Sequence, residues 1–146
     1  MILYTVRHLL ILRLLMCYQF QSAAVIHNLL FLVSAASSEE QTLAFYDFVR
    51  RRTGAYSSSL QRILDDLKTE KLIEETKNCL QITDKGRYIY TQFGASLKTF
   101  SSFWDLCFGL MERYQGDSEQ IKQRVFHDIT FRRVKIGERI FDYCKF

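Results

Sequence analysis

Leu60, Ile63, Leu64 and Leu67 recur at i, i+3, i+4 and i+7 in an otherwise polar run. That spacing puts one apolar face on one side of a helix and fits no strand. The helix is expected to start at Tyr56 or Ser57 and to end near Lys71. Leu72-Ile73-Glu74-Glu75-Thr76, the polar pair Lys77-Asn78, and Cys79-Leu80-Gln81-Ile82-Thr83 then read as strand, turn and returning strand. Thr83-Asp84 opens another helix, with Tyr88, Ile89 and Phe93 among its apolar positions. On this reading Ile82 enters the core, Thr83 caps the helix after it, and Gly86 lets neighbouring backbone come close.

The rest of the chain is mostly helical by the same reasoning. Proline is absent and glycine occurs 6 times in 146 residues, so helix breakers are scarce. Residues 3–18 predict a helix buried on several sides, and 22–35 a second, joined by a turn at Gln19 to Gln21. Ala35 to Gln41 reads as a loop. Phe45-Tyr46-Asp47-Phe48-Val49 fits either a short strand or the end of a helix from Glu40, and Arg50 to Gly54 reads as a basic turn. Helices are expected from about Ser96 to Tyr114 and from Ser118 to Asp128. The tail from Ile129 to Phe146 alternates basic and apolar residues, which suits an added strand, a helix on a partner or a nucleic-acid arm. A chain of this length, 48% hydrophobic, can bury a core without disulfides or metal.

Helix, strand, turn, strand, helix over 56–93 is the order of a winged helix module, and the module as a whole is placed at about 42–92. Leu72-Ile73 followed by Leu80-Gln81-Ile82-Thr83-Asp84-Lys85-Gly86 resembles the "GLI…YxLTxKG" signature of winged helix regulators. A closer resemblance covers residues 3–92. "HNLLFLV", "FYDFVRRRTGAYSSSLQRILDDLKTEKLIEE" and "LQITDKGR" are similar to the Panacea-type antitoxin domains and their phage-associated relatives. Thr53-Gly54-Ala55-Tyr56-Ser57 stands where that family has "YGPxS", with Ala55 in place of its proline, and Lys71 replaces its usual glycine. The resemblance implies a winged helix-like fold that neutralises toxins in some members and regulates in others. The expected architecture is therefore mainly α (α+β): a winged helix-turn-helix with two N-terminal helices and a short β-hairpin wing over 1–92, then a helical extension and basic tail over 93–146.

A winged helix sets its third helix in the major groove and its wing beside the backbone. The residues placed for this are Tyr56, Ser57, Ser58, Ser59, Gln61 and Arg62 at the helix start, Arg50, Arg51 and Arg52 before it, and Lys77 and Asn78 at the wing tip. Double-stranded DNA is the expected partner, bound by a regulatory protein. The net charge of +4 permits this without demanding it. Residues 1–40 are neutral, and 41–92 and 93–146 each hold 9 basic against 7 acidic residues, with local clusters at Arg50–Arg52 and at Arg132, Arg133 and Lys135. Against DNA stand Asp65, Asp66, Glu70, Glu74 and Glu75; an Arg62–Asp66 pair on a solvated face is the plain alternative for the helix. A protein adaptor or antitoxin-like module is the second reading, with Phe100, Phe103, Trp104 and Phe108 as partner-binding residues or as core, and a homodimer through that helix satisfies both.

Nothing points to an enzyme. No GxSxG, P-loop, HExxH or GxGxxG occurs, and His8 and His27 sit in apolar helices where a hydrogen-bonded core histidine is the simpler case. Cys17, Cys79, Cys107 and Cys144 lack zinc-type spacing and read as free, buried or half-buried thiols of a reducing cytoplasm, and no metal or cofactor is expected. The apolar stretches Leu9–Met16, interrupted by Arg13, and Ala23–Ala36, broken by His27 and Asn28, are too short to span a membrane, and no small-residue cleavage site directly follows the first, so neither a membrane span nor a signal peptide is expected.

Overall fold

The computed structural model describes residues 5–36, 46–77, 79–93, 101–114 and 117–141. In chain order the elements are α1 (Val6–Cys17), α2 (Ala23–Ala36), β1 (Phe48–Arg51), β2 (Gly54–Ser57), α3 (Ser58–Thr69), β3 (Ile73–Thr76), β4 (Cys79–Ile82), α4 (Asp84–Phe93), α5 (Ser101–Arg113), α6 (Ser118–His127) and α7 (Ile129–Arg133). The fold is mainly helical with two antiparallel hairpins, β1–β2 and β3–β4. The loop expected from Ala35 lies mostly outside the described residues. Among the described residues no helix is long and apolar enough to cross a membrane.

The contacts divide into two compact units, each made of two separate stretches: Met1–Ala23 with Gln61–Ser101, and Ala24–Leu60 with Ser102–Phe146. This division differs from the expected 1–92 and 93–146. The reason is that α2 and β1 bury their apolar side chains with the C-terminal stretch, as set out below.

In the first unit, α1 buries the near-continuous run His8–Leu12, Leu14 and Leu15, so it is covered on several sides. It packs against β4 and α4. The Thr5 N–H donates to His8 Nδ1 at 3.0 Å, and His8 Nε2 lies 3.0 Å from Asp66 Oδ2 on α3. The polar ring is thus satisfied at both nitrogens although it is buried. Hairpin β3–β4 pairs Ile73 with Ile82 and Thr76 with Cys79, and Phe20 lies antiparallel to Leu80, the two exchanging backbone bonds of 3.3 and 2.7 Å.

The end of α3 explains the missing glycine noted above. The Leu72 N–H bonds the Leu67 carbonyl at 2.9 Å and the Lys71 N–H bonds the Lys68 carbonyl at 3.0 Å, the two bonds of a Schellman C-cap. Lys71 holds the left-handed position of that cap, with φ 62°. A side chain there is strained where glycine is not. Lys71→Gly is therefore expected to raise stability by about 1 kcal/mol, read as a higher urea midpoint at unchanged slope.

In the second unit, α2 is buried from Val25 to Ser34. Its His27 and Asn28 face β2: the Ser57 N–H donates to His27 Nδ1 at 3.1 Å and the Ala55 N–H to Asn28 Oδ1 at 3.0 Å. Gly54, at φ 131°, sits against the Asn28 amide where a Cβ would collide. Phe31 centres an aromatic cluster with Phe48, Phe131 and Phe141. The tail resolves into α7 and then a strand-like segment along β1. The Arg50 N–H bonds the Glu138 carbonyl, the Gly137 N–H bonds the Arg50 carbonyl and the Ile140 N–H bonds the Phe48 carbonyl, at 3.0, 2.6 and 2.9 Å. Buried Phe131 and Ile140 hold the segment from either end. On α5, Trp104, Cys107 and Met111 form one buried face, and burial pushes the Cys107 thiol pKa well up.

Candidate nucleic-acid interface

The stretch expected to be a basic turn is a hairpin. Arg50 and Arg51 belong to β1, the turn itself is Arg52-Thr53, and α3 begins at Ser58 after strand β2 rather than at Tyr56 or Ser57. The register pairs Phe48 with Ser57 and Arg51 with Gly54. That register carries Asp47, one residue before β1, to the start of α3.

Asp47 occupies the end of the helix that was expected to receive phosphate. Its Oδ1 accepts from the Ser57 hydroxyl at 2.5 Å, the Ser59 hydroxyl at 2.8 Å and the Ser59 N–H at 3.2 Å, and its Oδ2 accepts from the Ser58 hydroxyl at 3.3 Å. Ser57 is fully buried and caps α3, its Oγ accepting the Leu60 N–H at 3.1 Å. A carboxylate at a helix N-terminus meets the same amides and the same positive end of the dipole as a phosphate does. The hydroxyls of Ser57, Ser58 and Ser59, expected to serve phosphate, thus all donate to Asp47. Burial pulls the Asp47 pKa upward, but the bonds from the Ser57 and Ser59 hydroxyls and the Ser59 amide outweigh it and hold the group below its ordinary 3.8.

A depressed carboxyl pKa gives stability that is present above the unfolded value of 3.8 and lost as pH falls through the lower folded value. Asp47→Ala is expected to cost about 1–2 kcal/mol at pH 7, the magnitude of a lost helix cap. The gap from wild type should close as the pH drops below 3.8. Urea unfolding at neutral and acid pH checks both statements; a gap that persists in acid would mean the carboxylate charge is not what stabilises α3.

The remaining expected residues divide by surroundings. Arg50 is spent internally: its Nη1 donates to the Val134 carbonyl at 2.6 Å and the Arg132 carbonyl at 3.2 Å, and its guanidinium lies 5.0 Å from the Phe131 ring centre. Arg51 lies 3.6 Å over the Tyr56 ring, which also stacks on the His27 ring at 4.7 Å. Tyr56 is thus a half-buried packing residue. Arg51 and Arg52 are exposed, as are Ser58, Arg62, Asp65 and Thr69 on α3 and Lys77 after β3. Gln61 donates to Asp65 at 2.9 Å, and Asp66, the expected partner of Arg62, turns to His8. On the hairpin, Glu75 pairs with Lys68 at 2.5 Å and Glu74 accepts from Gln81 at 2.8 Å. Asn78 lies outside the described residues.

In the expected partner-binding set, Trp104 is only 3% exposed and stacks on Phe108 at 5.6 Å, so it belongs to the core of this chain. Phe100 and the Phe103 side chain lie outside the described residues. Cys17 is exposed, Cys79 half-buried and Cys107 buried, so Cys17 departs from the expected burial, and Cys144 lies outside the described residues. Asp47 was missed because its role depends on strand register; two short segments flanking Arg52-Thr53 were the available signal. No family model, curated protein or solved structure matches this chain.

Proposed function

We propose that the chain is a DNA-binding regulatory protein built on a winged helix. The observation that carries this reading is the pairing of Phe20 with Leu80. It adds a third strand position to the β3–β4 hairpin, so the chain order becomes helix, strand, helix, helix, strand, strand: α1, Phe20, α2, α3, β3, β4, with the β1–β2 hairpin inserted before α3. In that order α3 is the helix for the major groove. Its exposed Arg62, with Lys77 after β3, supplies donors and cations. Anisotropy of a labelled random duplex at about 50 and 200 mM salt tests the reading, since phosphate contacts weaken steeply over that range. Absence of binding at the lower salt would overturn it.

A specific observation favours a second reading. The N-terminus of α3 already holds a carboxylate, and Asp65, Glu74 and Glu75 are exposed. An antitoxin-like module that binds a protein partner, as the Panacea-type resemblance implies, tolerates such a surface. Duplex binding that fails while a partner co-purifies with the tagged chain would select it.

A further inference from the structure

We propose that the surface formed by β1, its turn and residues 132–139 is a site for the phosphate backbone of duplex DNA, made of residues other than those of α3. The proposal rests on the nucleic-acid reading above and locates where most of its electrostatic contact is made.

The charge distribution is the first reason. Residues 48–52 and 131–140 hold seven of the 20 basic residues and one of the 16 acidic ones. The remainder of the chain therefore carries 13 basic against 15 acidic, and the net charge of +4 resides entirely in these two stretches. They are about 80 residues apart in sequence and converge in the fold. The Arg50 N–H and carbonyl pair with the Glu138 carbonyl and the Gly137 N–H, and Val49 lies opposite Arg139.

The second reason is that the cations are held out from a fixed frame. Arg50 is the clamp, its guanidinium engaged with two carbonyls of the returning segment. Arg51, Arg52, Arg132, Arg133, Lys135 and Arg139 are all exposed. Their one acidic neighbour in these stretches, Glu138, accepts the Lys135 N–H at 3.2 Å. A surface kept for solubility mixes both signs, whereas these stretches hold six exposed cations to one carboxylate, and the flanking Asp47 and Asp128 are engaged at the starts of α3 and α7, so this surface gains from a polyanion. Five of the six are arginine, whose planar fork binds phosphate oxygens in pairs. None needs a particular base, so the site contributes affinity and register rather than sequence choice. Exposed Ile136 lies in the same stretch and exposed Ile129 just before it, the feature that an anionic membrane surface would use instead.

The test uses the full chain, a labelled random 20-base-pair duplex, and vesicles containing phosphatidylserine. Wild type, Arg132→Gln/Arg133→Gln and Glu138→Gln are titrated over a range of salt, with circular dichroism melting to check folding. Each phosphate contact contributes about one to the slope of log K against log salt. The double variant is expected to bind about tenfold more weakly or worse at about 0.1 M salt, with a slope shallower by about two. Glu138→Gln, which removes the opposing charge and keeps an acceptor, is expected to bind more tightly; this opposite sign serves even if the double variant fails to fold. Wild-type slope and affinity in both variants would overturn this site and leave the DNA reading standing. Wild-type binding to the vesicles but not the duplex, or to neither, would overturn both.

Discussion

Replacing Phe31 with alanine is expected to cost about 4 kcal/mol, the largest effect of any single substitution considered for this chain. Phe31 is completely buried, and three rings surround it, Phe48, Phe131 and Phe141, at 5.7, 5.9 and 5.4 Å between centroids. Truncation removes the transfer energy of the ring and leaves a hole lined by side chains from α2, β1, α7 and the tail. Those side chains are held by backbone pairing between β1 and residues 137–140, so the walls cannot collapse freely. Edge-to-face contacts with Phe48 and Phe131 are lost as well. Domains of this kind have a total stability of about 5–15 kcal/mol, so the variant should be partly unfolded at 37 °C. Phe31→Leu keeps most of the volume and is expected to cost only about 1–2 kcal/mol. Urea unfolding followed by circular dichroism checks both. Equal, small losses would show that the aromatic cluster does not hold this unit together.

Gly86→Ala is expected to cost about 3 kcal/mol although it adds a single methyl group to a helix. Gly86 lies in the first turn of α4, and its N–H donates to the Thr83 hydroxyl at 3.1 Å. A Cβ there would collide with the Leu72 carbonyl oxygen and stand 2.7 Å from Ile82 Cγ1. The Leu72 oxygen cannot swing aside without loss, because it accepts the Thr83 N–H and the Thr83 hydroxyl lies 3.0 Å from it. The collision therefore strains backbone that joins α3, hairpin β3–β4 and α4. Gly109→Ala supplies the control: nothing lies within 4 Å of a Cβ at that helical position. That change should stabilise by about 0.5–1 kcal/mol, the ordinary preference of a helix for alanine over glycine. Thermal melts of the two variants should move in opposite directions; a shared direction would mean that close packing at Gly86 is not what requires glycine there.

Both positions show how far periodicity carried. Gly86, Thr83 and Ile82 were assigned close packing, capping and core burial from adjacent residues, and the Thr83–Gly86 bond, the close approach to Leu72 and the 7% exposure of Ile82 agree. The candidate interface was less legible. Arg50, Arg51 and Arg52 are identical residues in one run, yet Arg50 clamps the tail, Arg51 covers Tyr56 and Arg52 stands at the turn. Side-chain charge has no periodicity that marks which of three neighbours faces inward. Ser57, Ser58 and Ser59 were placed at a helix start, but the acceptor of their hydroxyls lies ten to twelve residues upstream.

The sequence by itself determined what depends on residues within a turn or a hairpin of one another: the apolar face of α3, the β3–β4 pair, the cap of α4 and the predominance of helix. Those features follow from local dihedral preference and from spacings of two or 3.6 residues. The tertiary structure alone decided which polar groups meet. It placed Asp47 at the start of α3, Phe20 beside Leu80, the 137–140 segment along β1, and the Arg50 guanidinium on the Arg132 and Val134 carbonyls, 82 and 84 residues away. Each hydroxyl or guanidinium has several acceptors of similar strength, in the chain or in water. The choice among them belongs to the packing that brings one within 3 Å, because a hydrogen bond gains little until burial removes the competing water.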